Sequence, residues 1–242
     1  MCTVIIRVPD GADEPTRLVA IRDEDPERPW RGLGTWWPHR YPGVSGVQDL
    51  RAGGAWLAAG AGRIAVLLNR RDHGTLADDE VVSRGTLALE SVAGRSPDAA
   101  PRTRGFNLLE VAAASARVVS WDGVERRETV LRPGTHMIAH DEVDDPATAR
   151  IARWLPEFRS AETVAGEDWW TPWFAVIDRS AELAATDDRA LVRDHRHLGI
   201  PTLSLLVCVA SVGTDAVDVR GADLPAPGVW GAVSLRGPAS AT

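Results

Sequence analysis

The stretch that most constrains the fold is residues 2–24. Residues 2–8 are rich in β-branched side chains, Pro9-Asp10-Gly11-Ala12-Asp13-Glu14-Pro15 is a turn by composition, and residues 17–21 form a second apolar run. The pattern predicts an antiparallel hairpin whose paired positions sum to about 25, to within a residue or two. In that register Cys2 faces Asp23, and directly opposed residues in such a pair lie roughly 4.5–5.5 Å apart.

This pairing gives Cys2 a chemical meaning. Loss of the initiator Met1 makes Cys2 the terminal residue, with a thiol and a free α-amine on one Cα. The amine, with an ordinary pKa of roughly 7.7–8.0, is then a base beside its own nucleophile. Asp23 across the pair is placed to bond and orient that amine, with Arg22 next to it. The plainer alternative is a small buried thiol and an ordinary surface acid.

At 242 residues the chain suits one large domain or two small ones, and we read 1–242 as one. Its net charge of −7 argues against general affinity for nucleic acid or anionic membrane. All 27 basic residues are Arg, which removes Schiff-base chemistry and a phosphate-loop lysine. Two cysteines form no disulfide framework, and Cys208, in the apolar run 203–209, reads as a core thiol. No stretch approaches the roughly twenty apolar residues of a membrane span, and nothing N-terminal has the pattern of a signal peptide. The expected location is cytoplasmic.

Residues 25–46 hold Trp30, Trp36 and Trp37 among prolines and glycines, without period 2 or 3.6, and read as an ordered loop. Those aromatics either line a substrate pocket or cover one end of the fold. Residues 55–59 and 63–69 flank Gly60-Ala61-Gly62 as a second hairpin that ends in Asn69. Residues 76–94 read as a helix with acids at its start, and 105–112 and 116–121 as strands, the first carrying Asn107. Asn107 bonds backbone or contributes a polar binding group.

Residues 145–160 show helical spacing and 174–183 read as another helix, with Trp169, Trp170 and Trp173 suited to a core. His195 and His197 suggest metal ligation only by their spacing, since no recognised ligand set surrounds them. Residues 203–209 and 216–220 read as a closing hairpin, and 230–235 as an edge strand. Strands, then helices, then strands describe a layered α+β chain.

Several short motifs occur in order: Met1-Cys2, Arg22-Asp23-Glu24, Gly53-Gly54-Ala55-Trp56-Leu57, Leu67-Leu68-Asn69, Ser83-Arg84-Gly85, Gly105-Phe106-Asn107-Leu108-Leu109 and Pro133-Gly134-Thr135. In this order they resemble the NRDE family, which includes the eukaryotic Transport and Golgi organisation proteins. That family is in turn similar to the cysteine N-terminal-nucleophile (Ntn) hydrolases, such as bile salt hydrolases and penicillin V acylases. The resemblance implies a four-layer αββα sandwich of mostly antiparallel sheets.

It also implies a catalytic set of Cys2, Asp23, Arg22 and Asn69, with Asn69 at the oxyanion. His140 stands where the family's Pro-Gly-Thr segment normally ends in Asn. Trp30, Trp36, Trp37 and Asn107 are the expected substrate-binding residues. Ile21, His140 and Pro201 depart from the family pattern.

Two functions follow. One is a cofactor-free cysteine hydrolase or acyl-transfer enzyme acting on a small amide or acyl molecule, or a specialised biosynthetic tailoring enzyme on the same scaffold. The other is a carrier handling haem or lipid, with Cys2, His136, Met137, His140, His195 and His197 as available ligands. The expected partners are a small-molecule substrate and a second copy in a homodimer.

Overall fold

Short β-branched runs separated by turns give a chain built mostly of strands. The computed structural model describes residues 2–11, 13–113, 115–214 and 216–240. Among these the strands are β1 (Thr3–Val8), β2 (Thr16–Glu24), β3 (Trp30–Gly34), β4 (Ser45–Asp49), β5 (Ala55–Gly60), β6 (Arg63–Asn69), β7 (Phe106–Ala112), β8 (Ser115–Trp121), β9 (Arg126–Val130), β10 (Gly134–Ile138), β11 (Leu203–Val212) and β12 (Val217–Asp223). The α-helices are α1 (Leu87–Val92), α2 (Ala149–Ser160) and α3 (Thr171–Ser180).

The strands form two antiparallel sheets. One has the order β10-β1-β2-β11-β12 and the other runs β3 to β9 in sequence order. Alternation along β1 and β2 sends Val4, Ile6, Leu18 and Ala20 into a core shared with Leu57, Val66 and Leu109 of the second sheet. The opposite faces carry Ile5, Val19 and Ile21, which pack under α2 and α3 with Trp154, Phe158 and Trp173. On the outer face of the second sheet Ala58, Ala65 and Leu108 pack against Ala88 and Leu89 of α1. Helices, sheet, sheet and helix thus stack as four layers, an α+β sandwich dominated by antiparallel sheet.

Four local details differ from expectation. The β1–β2 register is Thr3↔Ile21 and Val4↔Ala20, one residue from the expected pairing. A one-residue slip reverses which face each side chain takes, and that matters at Cys2. Residues 25–46 are not a bare loop, because β3 and the start of β4 lie within them. Gly32, Gly34 and the β3–β4 register shift near Gly34 hide the alternation, and pairing to a neighbour supplies the order that the local pattern lacks.

The expected helix over 76–94 is helical only at α1, preceded by 3-10 turns at Asp78–Glu80 and Arg84–Thr86. The backbone of Gly85 packs directly on Gly54, an approach that a regular helix would not allow there. The expected edge strand at 230–235 is likewise absent. Trp230, Val233 and Leu235 instead pack as a covering segment on the helical face of the first sheet.

Asn107 joins the two sheets. Fully buried on β7, its amide nitrogen donates to the Ala139 and Asp141 carbonyls at 3.1 and 2.8 Å. Its oxygen accepts from Ser120 Oγ at 2.7 Å and from Arg70 Nη1 at 3.2 Å. The amide is therefore occupied in holding the turn after β10, which carries His140, and works as a positioning group.

Candidate active site

Cys2 immediately precedes β1, and its thiol enters the face shared with Val4 and Ile6, between the sheets. It is 6% exposed. The Asp23 amide donates to Sγ at 3.4 Å, and the thiol in turn donates to the Asp23 carbonyl at 3.6 Å. Burial first, then the negative charge of Asp23, pushes the thiol pKa up, while Arg22 pulls it down. At neutral pH the group is a protonated thiol that needs a base before it can attack.

The thiol lines a polar cavity of about 190 Å³ between the two sheets. Arg22, Glu24, Trp56, Asn69 and Arg84 form other parts of its wall. Arg22 is 2% exposed, pairs with Glu24 at 3.3 Å and stacks on Trp30 at 5.4 Å. Arg22 Nη1 and Trp56 Nε1 are buried donors with no hydrogen-bond acceptor among the described residues. Asn69, the exposed last residue of β6, also lines the cavity.

Three motif glycines explain how Arg84 reaches this wall. Gly53, at φ +69°, closes the β4–β5 turn, where its amide donates to the Asp49 carbonyl at 2.8 Å. Gly54 then has room for no side chain, because a Cβ there would overlap the Gly85 backbone. This contact seats the turn at 83–86, and Arg84 Nη1 is bound by the Gly105 carbonyl.

Asp23 lies on the other side of the sheet. Alternation along β2 places its carboxylate with Val19 and Ile21 on the helical face, where Ser204 Oγ donates to Oδ1 at 2.6 Å. Ser204 Oγ is fixed by the Arg193 amide at 2.8 Å, and His195 Nδ1 stands 4.0 Å from Oδ2. The Cys2 thiol and the Asp23 carboxylate are therefore not opposed side chains. They approach the end of β1 from opposite faces, a direct consequence of the one-residue change in register.

A second cavity of about 460 Å³ occupies the helical side and is lined by His140, Arg150, Arg193 and His195. His140 accepts from Arg150 Nη2 at Nδ1, 3.3 Å, while Nε2 stands 3.1 Å from the Asp141 carboxylate. Burial, reinforced by Arg150, lowers His140 to about 4. Burial likewise lowers His195 to about 4, with Asp23 opposing and Arg193 assisting. Arg150 is itself pulled down to about 10 by burial, and Asp23 acts against that shift.

His195 therefore makes stability depend on pH. Its folded pKa lies below the ordinary 6.5, so between those values the unfolded chain binds a proton that the folded chain does not. Stability should fall as pH drops from 6.5 toward 4, by roughly 2–3 kcal/mol from this one residue at the lower limit. Urea titrations at pH 7, 5.5 and 4 should show a shallower decline for His195→Gln. Parallel declines in the two proteins would rule the effect out.

The expected aromatic wall lies elsewhere. Trp37 packs with α1 on the far face of the second sheet and donates to the Gly53 carbonyl at 2.8 Å. Trp36 is stacked by Arg31 at 5.2 Å and donates to Gly32 at 2.8 Å. Trp30 supports Arg22 from beneath, so it reaches the site through that stacking. Trp56 is the tryptophan of the thiol cavity, and its place in the Gly-Gly-Ala-Trp-Leu motif was the available signal. Arg150 meets the segment of Arg193, His195 and Ser204 only in three dimensions.

Two of the expected haem ligands, His136 and Met137, are taken up by the fold. Both nitrogens of His136 are engaged, by Asp144 and by the Arg132 carbonyl at 2.8 Å each. Met137 is fully buried in the core. Among the described residues no group of three or more His, Cys, Asp or Glu is arranged to hold a metal ion.

The motif order agrees with one comparison. The family model described as Transport and Golgi organisation 2 matches residues 1–168. The chain belongs to the Transport and Golgi organisation 2 family. The match to this family, the NRDE family of the sequence motifs, spans β1 to α2 and includes Cys2, Arg22, Asp23, Asn69, Arg84 and His140. His195 and Ser204 lie beyond the matched Transport and Golgi organisation 2 segment. No curated protein matches the chain. Among the described residues no helix is long and apolar enough to cross a membrane.

Proposed function

We propose that this protein is a cysteine hydrolase or acyl-transfer enzyme acting on a small acyl or amide compound, with Cys2 as nucleophile. The observation that carries this reading is the Cys2 thiol at the end of β1, opening on a small polar cavity that also holds Asn69, Arg22 and Arg84. Removal of Met1, on which the reading depends, concerns a residue outside those described. A free α-amine on Cys2 is then the nearest base for a thiol whose own pKa is too high for spontaneous ionisation.

In the first half-reaction the amine takes the thiol proton and sulfur attacks the substrate carbonyl carbon. The Asn69 amide N–H stabilises the resulting oxyanion. Collapse breaks the bond to the leaving amine, which departs with the proton held by the α-ammonium. An acyl thioester remains on Cys2. Water, or a second acceptor in acyl transfer, gives its proton to the α-amine as it attacks the thioester. The carbon–sulfur bond breaks and the thiol is restored. Asp23 orients the ammonium from the helical side, where Ser204 holds its carboxylate.

Intact-mass measurement of purified protein should show loss of Met1. Timed labelling with iodoacetamide followed by peptide analysis should modify Cys2 at least about tenfold faster than Cys208, whose thiol is fully enclosed and pushed up to about 12. Retained Met1 together with equal labelling of both thiols would remove the basis for a terminal nucleophile.

A further inference from the structure

Arg84 is the one guanidinium of the thiol cavity without a carboxylate at ion-pair distance among the described residues. Arg22 pairs with Glu24 at 3.3 Å, and Arg28 bonds Asp49 through Nε at 2.9 Å. Arg84 is held instead by a neutral acceptor, the Gly105 carbonyl. It is half-buried, and burial lowers its pKa although Asp72 and Glu24 pull the other way. A desolvated cation held by a carbonyl retains donors for another acceptor, and guanidinium geometry matches a carboxylate in particular.

We propose that Arg84 anchors a carboxylate on the substrate, so that the compound processed at Cys2 is an acidic acyl compound. This rests on the catalytic reading above and specifies its substrate class. Charge and size narrow the class further. Three guanidiniums, on Arg22, Arg28 and Arg84, face two carboxylates, on Glu24 and Asp49, while the Asp23 carboxylate is turned to the helical side. The wall thus carries one net positive charge, which suits a monoanionic carboxylate better than a phosphate dianion. A cavity of about 190 Å³ admits a short acyl end rather than a bulky ligand.

Arg84 departs from the expected catalytic set because nothing marked it beyond its motif. The Gly54–Gly85 backbone contact accounts for its placement. That contact fixes the turn, the turn fixes the Arg84 backbone, and the Gly105 carbonyl fixes the head group. An arginine prepared in this way loses little side-chain freedom when an anion arrives.

The test uses two alkylating reagents of similar size, iodoacetate and iodoacetamide, on the intact chain. In each case the Cys2 thiolate forms a carbon–sulfur bond and iodide leaves. The ratio of the iodoacetate rate to the iodoacetamide rate at Cys2 should fall at least fivefold in Arg84→Gln, with Arg84→Lys between the two. Rising salt should lower the wild-type ratio. An unchanged ratio in Arg84→Gln overturns the anchor.

Calorimetric titration with butyrate, butyramide and inorganic phosphate keeps the question open to refutation where neither reagent reaches Cys2. Butyrate should bind the wild type and weaken about tenfold in Arg84→Gln. Equal binding of butyramide, tighter binding of phosphate, or no butyrate binding each overturn the carboxylate site. Butyrate binding with an unreactive Cys2 would uphold the anchor and refute the nucleophile, so the two failures are distinguishable.

Discussion

Cys2→Ala should reduce kcat/KM for an acyl or amide substrate by at least about 10³-fold, because it removes the atom that forms the acyl intermediate. Cys208→Ala is the matched control: its thiol lies in the inter-sheet core, and the change should cost stability of about 1 kcal/mol without touching turnover. Cys2→Ser keeps the shape and the α-amine but offers a poorer nucleophile, so a small residue of activity is expected.

Asp23→Asn separates positioning from thiol chemistry. The negative charge of Asp23 raises the Cys2 pKa, so its removal should make the thiol ionise at lower pH and label faster. Turnover should nevertheless fall, because the α-amine loses the carboxylate that orients it. Opposite movement of labelling and turnover supports that arrangement. If both rise, or neither moves, Asp23 has no part in orienting the amine.

The parts of the fold that were legible are those whose pattern is local. The hairpins β1–β2, β5–β6, β7–β8 and β11–β12 each pair apolar runs across a turn, so period and punctuation both point to them. Strands β3 and β4 escaped because Gly32, Gly34 and Gly46 break the apolar alternation, and the order there comes from β5. Residues 76–86 resembled a helix because acids precede an apolar run. The Gly54–Gly85 contact, invisible locally, overrides that preference.

The site was legible in the same uneven way. Cys2, Arg22 and Asn69 were recognised by motif and do share a cavity, whereas Trp36 and Trp37 were chosen by composition and pack on another layer. The helical-side group was read only in part, as Asp23 and His195 singly. Asp23, Arg150 and the segment that carries Arg193, His195 and Ser204 are far apart in sequence and meet only because β2 and β11 are neighbours under α2.

The Gly54–Gly85 contact yields the largest stability effect expected outside the hydrophobic core. A methyl group on Gly54 would occupy the space of the Gly85 carbonyl and Cα, and backbone cannot swing aside as a flexible side chain can. The turn at 83–86 must therefore lift from the β4–β5 hairpin. Gly54→Ala should cost about 3 kcal/mol or more in urea unfolding, within the range of severe overpacking. Gly53→Ala isolates the alternative cause, because that position has open space but a φ of +69°, and strain alone should cost about 1–2 kcal/mol there. The two variants also differ at the site. Lifting the turn carries Arg84 away from Cys2, so Gly54→Ala protein that remains folded should lose the iodoacetate preference at Cys2, while Gly53→Ala should keep it. If Gly54→Ala is as stable as wild type, or keeps the preference unaltered, the contact does not hold Arg84 in place, and the turn must be seated through the Gly105 carbonyl and its other neighbours instead.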